Sequence, residues 1–93
     1  MSPPVAVVAA RVEGAEGTAV ALQNGELITM RLSRPFAPGT PFEGVLVVDG
    51  VETAIEGRAS GSKRTSDGVF EVRARLVNLR KEDRERLTAA LPR

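Results

Sequence analysis

Hydrophobic and polar positions alternate with a period of two along several stretches of the chain, which is typical of half-buried β-strands. Ile28, Met30 and Leu32 share one side of such a stretch, with Thr29 and Arg31 between them. The segment from 70 to 76 alternates in the same way. Strands with one apolar side and one wet side are usual in antiparallel sheets, so the pattern predicts a mainly β protein.

Three dipeptides that favour tight turns separate the strand-like runs. They are Asn24-Gly25, Asp49-Gly50 and Asp67-Gly68. A type I′ turn needs positive φ at both central residues, and these residue types adopt it with little strain. The first two predict tight hairpins, whereas the third lies in a longer polar segment that we expect to form a mobile loop. Three successive hairpins indicate an antiparallel meander that forms a small barrel or sandwich.

Four consecutive apolar residues, Val45 to Val48, interrupt the alternation. One interpretation is a central strand that is covered on both faces, with the terminal helix as one of the covers. The other interpretation is an exposed patch, formed by Val45 and Val47, that serves in self-association or in binding a protein partner. Both interpretations stay open at the level of the sequence.

The hydrophobic period changes near residue 79, after which charged residues dominate. Apolar residues then recur at a helical spacing, which predicts a C-terminal helix of about three turns anchored by Leu87 and Leu91. Asn78 is the predicted N-cap, because its side chain can accept a hydrogen bond from a free backbone N–H. Glu82 and Arg86 lie four residues apart in the order that favours an ion pair.

The length and composition predict one small domain without catalytic activity. The chain has 93 residues and contains no Cys, His, Trp or Tyr, so it lacks the usual thiolate nucleophile, zinc ligands and general base. We expect no disulfide and no membrane span, because no apolar run approaches about 18 residues. The apolar run at 5–10 is too short for a signal peptide, which predicts a cytoplasmic protein. The predicted parts are a flexible segment at 1–4, a barrel at 5–79 and a helix at 80–91.

The overall charge argues against a nucleic acid or an anionic membrane as an obligatory partner. Thirteen basic and twelve acidic residues give a formal net charge of +1. The three aromatic side chains, Phe36, Phe42 and Phe70, are not interleaved with basic residues as a base-stacking surface would require. A small nucleic-acid-binding barrel therefore remains only as a third hypothesis.

The arrangement of the last strand and helix resembles the end of PilZ domains, in which a strand rich in apolar residues and arginine leads into a short helix. The family's D-R-x-x-L pattern is matched by Asp83, Arg84 and Leu87. The segment 37–63 is similar to the family's middle, and the strand after Gly17 resembles the strand after its glycine turn. The resemblance implies a six-to-seven-stranded antiparallel β-barrel with a C-terminal helix. It also implies a bacterial protein that responds to cyclic di-GMP.

The chain departs from the two motifs with which PilZ domains bind cyclic di-GMP. If Gly17 is the glycine of the D/N-x-S-x-x-G turn, the acid and the serine are replaced by Val12 and Gly14. The R-x-x-x-R motif should lie ahead of the barrel, where only Arg11 is present. Arginines at 80 and 84 have the right spacing, but they lie in the closing helix and are interpreted as a solvated face.

Two further basic groups have alternative interpretations. Arg73 and Arg75 share one strand face, where they could bind phosphate or pair across strands with Glu52 or Glu56. Lys63 and its neighbour at 64 could contact an anion, but a mobile, wet loop is the favoured interpretation.

The sequence therefore predicts a non-enzymatic, cytoplasmic, bacterial PilZ-like signalling or adaptor domain without a cofactor. Its partner is expected to be a protein that binds at Val45 and Val47, and the resemblance points to motility, pilus or exopolysaccharide machinery. The alternative hypothesis is a cyclic di-GMP receptor with a non-standard site formed by Arg11, Arg73 and Arg75. The oligomeric state stays open, and a homo-oligomer is one of the options.

Overall fold

The computed structural model describes residues 8–66 and 68–92, so the segment expected to be flexible lies outside the described residues. Six strands and one helix follow one another along the chain. They are β1 (Val8–Val12), β2 (Ala15–Gln23), β3 (Leu27–Leu32), β4 (Pro41–Val48), β5 (Val51–Ser66), β6 (Val69–Val77) and α1 (Lys81–Ala90). The strands form a closed antiparallel barrel in the order β1-β2-β3-β6-β5-β4. The predicted mainly β barrel with a short C-terminal helix is confirmed.

Two of the three predicted turns have the backbone that their sequence favours. Asn24 and Gly25 adopt φ values of 54° and 69°, and Asp49 and Gly50 adopt 50° and 77°. Positive φ at both central residues is the property of a type I′ turn, whose twist matches that of the strands it joins. These turns connect β2 to β3 and β4 to β5.

The third turn is much shorter than the sequence indicated. β5 continues to Ser66 and β6 begins at Val69, so Lys63 and its neighbours belong to a strand and not to a mobile loop. Polar residues remain in the ladder because β6 pairs along its whole length with residues 56–66 of β5, with register shifts at 59/61 and 64/66. Such bulges let a long strand follow the curvature of a barrel.

A further hairpin, between β1 and β2, has no clear signal in the sequence. Its two turn residues are Glu13 and Gly14, with φ values of 48° and 80°. A left-handed conformation costs a residue such as Glu roughly 1–2 kcal/mol, so Glu-Gly is a weaker turn signal than Asn-Gly. The backbone N–H of Glu13 donates to the carbonyl of Glu43 at 3.3 Å, which ties this turn to β4.

The barrel interior is filled by apolar side chains from every strand. The largest fully buried ones include Ile28, Met30, Leu32, Leu46 and Val72. Small residues lie where strands approach closely: a Cβ on Gly17 would overlap the backbone carbonyl of Arg31 on the neighbouring strand. Because the interior is closely packed, the outward-facing side chains are the ones available to partners.

The helix α1 closes one end of the barrel. Leu87 is 0% exposed and Leu91 is also buried, so both predicted anchors are confirmed. The chain after the helix returns to β2, where the N–H of Leu22 donates to the carbonyl of Pro92 at 2.8 Å. Within the described residues, no helix has the length and apolar character that crossing a membrane would require.

The start of α1 differs from the prediction. The N-cap position belongs to Arg80, without a side-chain cap, and Asn78 lies two residues earlier. Asn78 adopts a φ of 55°, and its Nδ2 donates to Oε1 of Glu56 at 2.9 Å. Its side chain therefore fixes the bend between barrel and helix. Arg86 pairs with Asp83, three residues before it, at 3.2 Å. The sequence had indicated Glu82, four residues before it, as the partner.

Candidate interaction surfaces

The outward face of β4 presents apolar side chains to solvent. Leu46 and Val48 point into the barrel and are buried, whereas Val45 and Val47 lie on the other face and are half-buried. Their neighbours across the ladders include Ala9 on β1 and Ala54 on β5. We call these four outward residues, Ala9, Val45, Val47 and Ala54, the valine face. α1 contacts β4 and its start borders this face, but Ala9 and Ala54 are exposed and the two valines keep part of their surface open to solvent.

An open groove with a volume of about 800 Å³ lies beside the valine face and includes Val45 and Ala54. Val77, which is 42% exposed, adds a further apolar contact. The groove also contains five carboxylates. They are Glu13, Glu43, Glu52, Glu56 and Asp83. We call this feature the acidic groove.

The electrostatics of the acidic groove are dominated by its carboxylates. Asp83 is contacted by Arg86 at 3.2 Å and by Arg80 at 3.8 Å, and Glu56 accepts from Asn78. Surface ion pairs of this kind contribute about 0–1 kcal/mol each. Their main effect is to orient the side chains at the start of α1. With four glutamates beside an apolar strip, the groove can attract a segment that combines cationic and apolar side chains.

The three arginines of the alternative cyclic di-GMP site are not brought together. Arg11 lies on β1, whereas Arg73 and Arg75 lie on β6. In the barrel order β1 and β6 are three strands apart in either direction, so the outward side chains face opposite sides. One small ligand cannot contact all three arginines in this arrangement.

Neither acidic residue expected to pair with the β6 arginines is directly opposite one of them. Glu52 is opposite Val47 on β4, and Glu56 binds Asn78. Arg73 instead approaches Glu71 on its own strand at 3.7 Å. The register places Thr29 of β3 and Gly61 of β5 opposite Arg73. The predicted cross-strand pairing of Arg73 with a glutamate is therefore wrong.

The positions that correspond to the PilZ turn motif have structural roles in this barrel. Val12 points into the core and is fully buried, and Gly14 is the second residue of the β1–β2 turn. Of the R-x-x-x-R pair in the helix, Arg80 is exposed and pairs weakly with Asp83, as expected of a solvated face. Arg84 differs, because its aliphatic stem lies against Gly25 of the β2–β3 turn.

A second charged surface became visible only through the strand register. Outward side chains of β3, β6 and β5 bring five basic residues onto adjacent strands. They are Arg31, Arg58, Lys63, Arg73 and Arg75. We call this surface the basic face. Each residue occupies an outward position, but the sequence predicts only the β5–β6 hairpin and gives no indication that β3 lies beside β6.

Comparison with known proteins leaves the assignment at the level of the fold. The chain matches no protein-family model, no curated protein and no solved structure. The class that the geometry defines is a small, closed, six-stranded antiparallel β-barrel whose end is covered by a C-terminal helix. Among residues 8–66 and 68–92, no group of His, Cys, Asp and Glu side chains is suited to hold a metal ion.

Proposed function

We propose that the protein is a non-enzymatic, PilZ-like adaptor domain that binds a protein partner through the valine face. The observation behind this proposal is the outward, half-buried position of Val45 and Val47 in a strand whose inward residues already fill the core. Apolar side chains in a sheet face contribute most when a partner covers them, at roughly 25 cal/mol per Å² of buried apolar area. The bacterial context of motility, pilus or exopolysaccharide machinery comes from the resemblance to PilZ domains.

The acidic groove defines the chemistry of the proposed partner. It adjoins the valine face at Val45 and Ala54, so one partner segment can contact both features. An apolar side chain would cover the valines, while Lys or Arg side chains would lie near Glu43 and Glu52. Charge complementarity of this kind mainly raises the association rate and the specificity for the right partner, and it contributes less to the affinity.

The proposal treats the cyclic di-GMP site as degenerate. Val12 and Gly14 replace the acid and the serine of the turn motif, and neither can donate or accept a side-chain hydrogen bond. Arg11 is separated from the β6 arginines by the width of the barrel. These observations favour a protein partner over the dinucleotide.

The test is affinity capture from a cell extract with three forms of the purified protein. The wild type should recover a specific partner, and Val45→Ser should lose it because the substitution makes the valine face polar. Val69→Ser is the matched control, since Val69 is a half-buried strand valine on β6, away from the valine face. Recovery of no specific partner, or equal recovery with Val45→Ser, would count against the proposal.

A further inference from the structure

The basic face is organised in rows that run across three strands. Arg75 is opposite Arg58 on β5, and Arg73 is opposite Gly61 one row further along. In the third row Glu71 lies between Lys63 on β5 and Arg31 on β3. In these rows five cations accompany one carboxylate, and Glu56 lies one outward position before Arg58 on β5, so the described residues of this part of the barrel carry a surplus of positive charge.

The centre of the basic face sets two like charges directly opposite each other. Side chains opposed in an antiparallel pair have Cβ atoms about 4.5–5.5 Å apart, and like charges there are destabilising. Arg58 donates to the carbonyl of Gly39 at 3.2 Å, a neutral acceptor that leaves the repulsion from Arg75 in place. Arg73 is 73% exposed, and its approach to Glu71 at 3.7 Å is too long for a strong ion pair. An anion bound over these arginines would relieve the repulsion.

The net charge of the whole chain does not describe this surface. The acidic groove collects Glu13, Glu43, Glu52 and Glu56 near β4 and the start of β5. The fold therefore separates charges that the sequence mixes. A chain with a formal charge of +1 presents one strongly positive face, and an electrostatic footprint of that kind is what a polyanion binds.

We propose that the basic face binds the phosphodiester backbone of duplex nucleic acid without reading its sequence. Outward residues of one strand are about 6.8 Å apart and neighbouring strands about 4.8 Å apart, so the face measures roughly 10 by 14 Å. That length matches about four successive phosphates at a rise of about 3.4 Å. Phe36 and Phe42 are buried and Phe70 packs against the core. Among the described residues no aromatic side chain is thus placed to stack on single-stranded bases, which favours the duplex and its higher charge density.

The test is a fluorescence anisotropy titration of a labelled duplex oligonucleotide with the whole protein. Binding should be micromolar at low salt, and log K should fall with log[salt] with a slope of about −4 between about 50 and 200 mM salt. A single strand of the same length should bind more weakly. The triple variant Arg58→Gln/Arg73→Gln/Arg75→Gln should lower affinity at least about tenfold and reduce the slope by about 3.

The matched control removes the same number of charges from other surfaces. Arg11→Gln/Arg80→Gln/Lys81→Gln changes three exposed cations on β1 and at the helix start, and it should retain affinity within about threefold and keep the slope. Circular dichroism of both triple variants would verify that each retains the barrel. The proposal would be overturned by no binding at low salt, by equal loss in both triple variants, or by tighter binding of the single strand. Equal binding of poly-glutamate would also overturn it, because the face would then fit an acidic protein surface.

Discussion

Leu87 is the residue through which we expect α1 to be held on the barrel. It is the buried residue of the helix and is 0% exposed, whereas Arg86 before it is half-buried and Thr88 after it is exposed. Leu87→Ala removes three buried carbon atoms and leaves a cavity between helix and barrel. In comparable sites this change costs about 2.7–5.0 kcal/mol. For a chain of this length the whole unfolding free energy is about 5–14 kcal/mol, so the variant should fold with a much reduced margin.

The measurement is guanidinium denaturation of the wild type and Leu87→Ala, supported by a thermal melt. An unfolding entropy of about 0.2 kcal/mol/K for the domain converts a loss of about 3 kcal/mol into a decrease in Tm of about 15 °C. A smaller denaturant slope in the variant would show that the helix has left the barrel before the barrel unfolds. Thr88→Ala, one residue away and exposed, should change the stability by less than about 0.5 kcal/mol. If Leu87→Ala costs no more than Thr88→Ala, the helix does not depend on this contact.

Three other substitutions test particular contacts. Gly17→Ala should destabilise the barrel by at least about 3 kcal/mol in urea denaturation, because its Cβ would overlap the backbone carbonyl of Arg31. A loss below about 1 kcal/mol would show that β2 and β3 are further apart at this position. Arg86 donates from Nη1 to the buried Oγ1 of Thr53 at 3.0 Å. A double-mutant cycle with Thr53→Val and Arg86→Met should therefore give a coupling free energy of about 1 kcal/mol. If the two substitutions change the free energy of unfolding additively, the hydrogen bond does not contribute. Asn78 has a φ of 55°, a backbone conformation that glycine adopts freely and valine does not. In thermal melts, Asn78→Gly should therefore reduce the free energy of unfolding by at least about 1 kcal/mol less than Asn78→Val. A larger loss for Asn78→Gly would exclude the left-handed conformation at this residue.

The turns show which features of the fold were accessible from the sequence. Asn24 and Asp49 each precede a glycine and tolerate the left-handed backbone, so the sequence located these hairpins and the structure confirms them. Glu13 adopts the same conformation without belonging to a residue type that favours it. The hairpin at Glu13 depends on contacts with β4 that are distant in sequence, and a local pattern cannot contain them.

The candidate surfaces were less accessible than the fold. The sequence showed that the alternation of apolar and polar residues is interrupted around Val45 and Val47. Only the structure shows which of these residues point outward. The neighbours of Arg73 depend on the register of β3, β6 and β5, which brings together residues from Arg31 to Arg75. Asn78 was expected to cap the helix, yet a glutamate from β5 accepts its hydrogen bond. Long-range pairing sets each of these outcomes.

The most direct test of the proposed function is calorimetric titration of cyclic di-GMP into the wild-type protein at tens of micromolar. The motif positions contain Val12 and Gly14, and Arg11 lies across the barrel from Arg73 and Arg75. We therefore predict no saturable heat, as expected of an adaptor with a degenerate site. Saturable binding with one dinucleotide or one dinucleotide dimer per chain would contradict the account and identify the protein as a second-messenger receptor.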